Sequence, residues 1–131
     1  MAKKINYWGL ELWNPSKEEI GFIYEIHNKA LGLKYAGMKR FWSNKTIGGV
    51  KTVVESDWRR YKGSSNETKD WNAEDCEFKM VKICYSLFEL SYSEIAYLIE
   101  YDCLLRDDYV NWCLGSHMIG RVPKYMIMEL K

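Results

Sequence analysis

The chain has 131 residues, a net charge of +1, 47% hydrophobic and 15% aromatic residues. This length accommodates one domain, or two very small ones, with a real core, and the apolar content excludes a disordered tail protein. Four Cys at irregular spacing without a signal peptide read as reduced thiols, and no apolar run approaches the ~18 residues of a membrane span. The expected setting is cytoplasmic.

Taken in order, Tyr7 to Trp13 partly alternates and predicts an extended arm or short strand. Ser16 and Glu19 form a capping box, and Ile20, Ile23, Tyr24, His27 and Leu31 follow at helical spacing. They predict a helix ended by Gly32. Tyr35, Met38, Phe41 and Trp42 predict a second, short helix. From Thr46 to Tyr61, Ile47, Val50, Val54, Trp58 and Tyr61 keep the same spacing, so a third helix is the preferred reading. Gly48-Gly49 leaves a β-hairpin as the alternative. Residues 63–72 are polar and read as a linker or exposed loop. Asn72 caps a fourth helix whose buried face is Cys76, Met80, Ile83, Cys84 and Leu87. Ser91 and Glu94 form a second capping box before Ile95, Leu98 and Ile99. Arg106 to Leu114 follows, and Pro123 opens a last helix or, alternatively, a strand. Trp58 and Trp112 are the expected core anchors.

The two halves echo one another: Leu33-Lys34-Tyr35-Ala36 aligns with Leu90-Ser91-Tyr92-Ser93. The expected fold is therefore mainly α, with two helix-turn-helix-like three-helix modules and at most a small hairpin or N-terminal strand. Residues 1–62 form a basic module with its arm, 63–72 the linker, and 73–131 an acidic module. The stretch Leu90-Ser91-Tyr92-Ser93-Glu94-Ile95-Ala96, between two helical patterns, resembles helix-turn-helix proteins such as region 4 of bacterial sigma factors and small phage regulators. That resemblance implies a DNA-binding regulator.

Charge separates the halves. Lys34 to Lys62 holds eight Lys or Arg against Glu55 and Asp57, whereas Glu67 to Asp108 holds eleven acids against four bases. Phosphate attracts the first segment and repels the second. The candidate DNA contacts are Lys34, Lys39, Arg40, Lys45, Lys51, Arg59, Arg60 and Lys62. Glu100, Asp102, Asp107 and Asp108 are the candidate contacts to a protein partner. A plain solvated basic face is the competing reading of the first group.

Cys113-x-x-x-His117, with Cys103, could supply metal ligands, but the spacing is loose and buried thiols are the preferred reading. The carboxylate pairs fit helix first turns, and neither a phosphate-binding glycine loop nor a G-x-S-x-G nucleophile motif occurs. The expectation is no enzyme, no cofactor and no metal. The chain reads as a small DNA-binding transcription regulator, of the kind phages encode, that contacts RNA polymerase, a host factor or a second copy of itself. Its rivals are a protein-binding inhibitor and a DNA-packaging or replication accessory protein.

Overall fold

A computed structural model describes residues 6–9, 13–63, 66, 68–111, 114 and 123–127. The architecture is mainly β, which overturns the expected helical modules. Strands β1 (Gly21–Asn28), β2 (Leu33–Arg40) and β5 (Cys76–Cys84) form an antiparallel sheet in the order β2-β1-β5, and β3 (Trp42–Ile47) pairs with β4 (Val50–Glu55). Helix α1 (Leu87–Glu100) packs on the three-stranded sheet, and α2 (Lys124–Ile127) is a single turn. Segments assigned to separate modules thus share one sheet: β1 pairs with β5 from Gly21–Cys84 to Asn28–Cys76, with a bulge between Ile23 and Tyr24.

The first capping box illustrates the error. Glu19 does accept the Ser16 N–H at 2.8 Å, but the turn feeds a strand. Phe22, Ile23, Tyr24 and Ile26 make β1 apolar on both faces, as a central strand requires, and a short run of this kind carries no periodicity that separates helix from strand. Phe22, Tyr24 and Ile26 join Trp8, Phe41, Trp58 and Trp71 in an aromatic core on one side of the sheet. Ile23 instead meets Leu90 and Cys84 beneath α1. Trp58 is fully buried, although it lies on a short 3-10 turn rather than a helix. Trp112 lies outside the described residues.

The cap of helix α1 lies five residues before the expected Ser91. Ser86 is its cap, accepting the Glu89 N–H at 3.0 Å, while Glu89 accepts the Tyr85 N–H. The internal echo is not structural, because its first member lies on β2 and its second on α1. Residues 42–55 take the hairpin alternative. Gly48 and Gly49 both have positive φ, 58° and 80°, the requirement of a type I′ turn. Among the described residues, no helix is long and apolar enough to cross a membrane.

Candidate active site

Strand β2 is an edge strand, so its alternate outward N–H groups lack a neighbouring strand. Three are taken in succession. Lys34 donates to the Asp108 carbonyl at 2.6 Å. Ala36 donates to Asn111 Oδ1 at 3.0 Å, and Asn111 Nδ2 returns a bond to the Ala36 carbonyl at 2.7 Å. Met38 donates to the carboxylate of Glu94, which α1 brings to the same edge. Asn111 is buried, so Asn111→Ala strips both polar groups of Ala36 and should cost about 2–4 kcal/mol in a denaturant titration.

On the aromatic face, Tyr24 lies directly across from Gly37 in the β1–β2 register. A Cβ at Gly37 would stand 2.7 Å from the Tyr24 hydroxyl and 2.9 Å from its Cζ. The missing side chain is therefore what lets the Tyr24 ring lie over β2 toward the edge. Its ring meets those of Tyr61 and Tyr35 at 5.8 and 6.2 Å, and its hydroxyl is hydrogen-bonded to Tyr61. Burial, then the neighbouring phenols, hold the Tyr24 hydroxyl well above its ordinary pKa, with Glu94 adding to the shift.

Glu94 and Tyr61 line a cavity of about 510 Å³ together with Lys39, Arg40, Ser43 and Asn44. Burial pushes the Glu94 carboxyl up to about 7, against the Met38 N–H bond that favours its charged form. Lys39 Nζ sits 2.7 Å from Asp57 and 4.1 Å from the Tyr61 ring centroid. A carboxyl that titrates near neutrality, the Tyr61 phenol and two cations on one cavity can bind a phosphate and manage proton transfer around it.

The expected DNA contacts scatter. Lys39 and Arg40 line the cavity, and Lys45 and Lys51 project from the hairpin. Arg60 is exposed on the 3-10 turn. Arg59 is drawn into the structure: it pairs with Glu55 at 3.0 Å, stacks on Trp58 and bonds Asn14 at 2.8 Å. Lys62 Nζ donates to the Trp71 carbonyl at 2.9 Å, and Lys34 lies over the Tyr109 ring. The four acids lie at the end of α1 and in the turns that follow it. Glu100 ends α1, Asp102 occupies the left-handed region at φ 51°, Asp107 is exposed, and Asp108 is held by Arg106 at 2.6 and 2.9 Å. Cys103 is a buried thiol pushed up to about 11 by burial, while Cys113 and His117 lie outside the described residues.

Sequence reasoning passed over Tyr24, Tyr35, Gly37 and Tyr61, filing the tyrosines as helix stripe, and filed Glu94 as a cap. The signal available was the pair Gly21-Phe22-Ile23-Tyr24 and Tyr35-Ala36-Gly37, two aromatic-glycine runs either side of a Gly32 turn.

A protein-family model described as "Putative endonuclease segE, GIY-YIG domain" matches residues 11–113. No curated protein and no solved structure matches the chain significantly. Of the letters in the family's name, the chain carries Ile23-Tyr24 on β1, preceded by Gly21-Phe22, and Tyr35-x-Gly37 on β2; Tyr24, Tyr35 and Gly37 lie beside the site. This match replaces the helix-turn-helix resemblance, since the stretch that carried it is one continuous helix, α1. It also overturns the reading as a non-enzymatic regulator, inhibitor or packaging protein. Contact with RNA polymerase or a host factor finds no support in the fold or the match. The chain belongs to the GIY-YIG endonuclease-domain family of the segE type.

Proposed function

We propose that this protein is an endonuclease that hydrolyses phosphodiester bonds of DNA in the cavity at the edge of β2. The observation that carries the reading is the convergence of Glu94, Tyr61 and Lys39 on one cavity, with Tyr24 behind them, in a chain of this family. In hydrolysis a water oxygen bonds to phosphorus, the bond to the leaving sugar oxygen breaks, the water gives up a proton and the leaving oxygen gains one. Lys39 and Arg40 bind and neutralise the phosphate. Tyr61, on the cavity wall and bonded to Tyr24, orients the water. Tyr24, with its raised pKa, stays protonated near neutral pH and serves as a hydrogen-bond donor rather than a base.

A divalent cation fits this donor set. Among the described residues no group of three ligating side chains could cage an ion, but Mg²⁺ commonly takes one or two carboxylates plus substrate phosphate and water. Glu94 would hold it at the cavity wall. When bound, the ion offsets phosphate charge and acidifies a coordinated water.

Incubating the purified chain with supercoiled plasmid and Mg²⁺ should give nicked or linear product, and EDTA should stop it. Folded protein that leaves the plasmid intact with either Mg²⁺ or Mn²⁺ would refute the assignment. The basic residues have their own test. Each phosphate contact contributes about −0.9 to the slope of log K against log salt, so Lys39→Ala with Arg40→Ala should flatten the slope by up to about two units. An unchanged slope removes these two from the phosphate site.

A further inference from the structure

Beyond Trp42, which packs against the aromatic core, the β3–β4 hairpin stands outside the core. Ser43 to Ile47 is exposed throughout, and Ile47, Val50 and Val53 are 54, 65 and 51% exposed. Beyond its own pairing the ribbon packs extensively on no other strand or helix among the described residues. Ile47 and Val50 are cross-strand partners flanking the Gly48-Gly49 turn, so two bare aliphatic side chains stand together at the tip. Between Ser43 and Val54 there are two cations, Lys45 and Lys51, and no acid. Glu55, at the base, is occupied by Arg59 and the Trp58 indole N–H at 2.7 Å. The root of the same ribbon, Trp42, Ser43 and Asn44, forms part of the cavity wall.

We propose that the hairpin is a reading ribbon that enters the major groove of the duplex whose phosphate lies in the cavity, with Ile47 and Val50 against base edges and Lys45 and Lys51 on the flanking phosphates. This rests on the endonuclease reading and adds to it a specificity-determining element. The dimensions agree. Two strands ~4.8 Å apart, with their side chains, fill a groove ~12 Å wide but not one ~6 Å wide. From Asn44 to the tip the ribbon advances about 10–15 Å at ~3.3 Å per residue, which places the tip roughly three or four base pairs from the cut. The charge is complementary along the whole projecting part. An aliphatic tip has one base-edge partner of its own chemistry in that groove, the C5-methyl group of thymine.

The test uses the full chain and a randomised duplex library, mapping every cut. Wild-type protein should prefer thymine at one or two positions within about four base pairs of the cut. Replacing those thymines by deoxyuridine should weaken cleavage about fourfold per methyl group removed. The double variant Ile47→Ala/Val50→Ala should cut the preferred sites only as fast as wild type cuts the others, and so lose the preference and become indifferent to deoxyuridine. Lys45→Ala/Lys51→Ala should keep the preference but bind all duplexes more weakly, with a salt slope reduced by up to about two units. All four side chains are exposed, so these variants should fold, and unchanged thermal midpoints check that.

A tip variant that retains the wild-type preference overturns the ribbon while leaving the endonuclease reading intact. Wild-type protein that cuts no DNA overturns both. Sedimentation provides a further arm: if wild type self-associates and Ile47→Ala/Val50→Ala does not, the tip is a contact between copies and the groove assignment is wrong.

Discussion

Glu94→Gln is expected to abolish DNA cleavage while making the protein more stable above neutral pH. The amide keeps an oxygen to accept the Met38 N–H, so the edge of β2 keeps its partner. What it loses is the charge. Removing one preorganised electrostatic group typically costs about 10²–10³ in rate, and Glu94 is the one carboxylate among the residues lining this cavity. The stability effect runs the other way. Burial raises the carboxyl from 4.5 to about 7, so its folded-state pKa lies above its unfolded value. The stability associated with the protonated form is fully present below about pH 4.5 and is lost as pH rises through about 7. The Gln variant does not titrate. It should therefore match wild type near pH 5 and exceed it near pH 8 by about 1–2 kcal/mol, a value discounted for the partial exposure of the group. Added Mg²⁺ should raise the wild-type midpoint and leave the variant's unchanged, because an ion stabilises only the state that binds it. Equal pH dependence in the two proteins would show that Glu94 ionises freely, and the cavity would lose its titrating member.

Legibility from sequence divides along a physical line. Local chemistry was readable: the Gly48-Gly49 turn, the Asn72 cap accepting the Glu74 N–H at 3.2 Å, and the bond between Ser16 and Glu19 all form. What those signals introduce was not. Spacing of three and four selects Ile20, just before β1, and Ile23, Tyr24 and His27 within it, yet it ignores Phe22 and Ile26, which are as buried as Ile23 and Tyr24. Counting every apolar residue rather than the matching ones reveals a continuous run, the mark of a strand covered on both faces. The same bias made Cys76, Met80, Ile83 and Cys84 a helix face when they belong to β5.

The site was less visible still, because it is assembled across the fold. Tyr24 and Tyr35 come from adjacent strands, Tyr61 from the loop after β4, and Glu94 from α1. Charge counting found Lys39 and Arg40, which do line the cavity, but weighed Arg59 and Lys62 equally. Those two are tied down by Glu55, Asn14 and backbone carbonyls. Net charge over a segment cannot distinguish a cation that faces solvent from one already spent inside the fold.

Gly37→Ala is the second large-effect variant, and it probes geometry where Glu94→Gln probes charge. The added methyl would lie 2.7 Å from the Tyr24 hydroxyl and 2.9 Å from Cζ, so the ring must move. Tyr24 is 1% exposed, with Trp8, Phe22, Tyr35 and Tyr61 as ring neighbours between 5.4 and 6.2 Å, and no open direction receives it. Overpacking of this kind costs about 1–3 kcal/mol. A displacement near 1 Å of a group that supports the reacting centre costs about 10²-fold in rate. Both losses should appear together in Gly37→Ala. Tyr24→Phe separates them, since it keeps the ring and its packing but removes the hydroxyl bonded to Tyr61. It should lose most of the activity, by about 10-fold or more, with a stability change near 1 kcal/mol. If Gly37→Ala is destabilised yet cuts at the wild-type rate, the Tyr24 hydroxyl has no part in the reaction, and Gly37 is needed only so that a large ring can cross a strand.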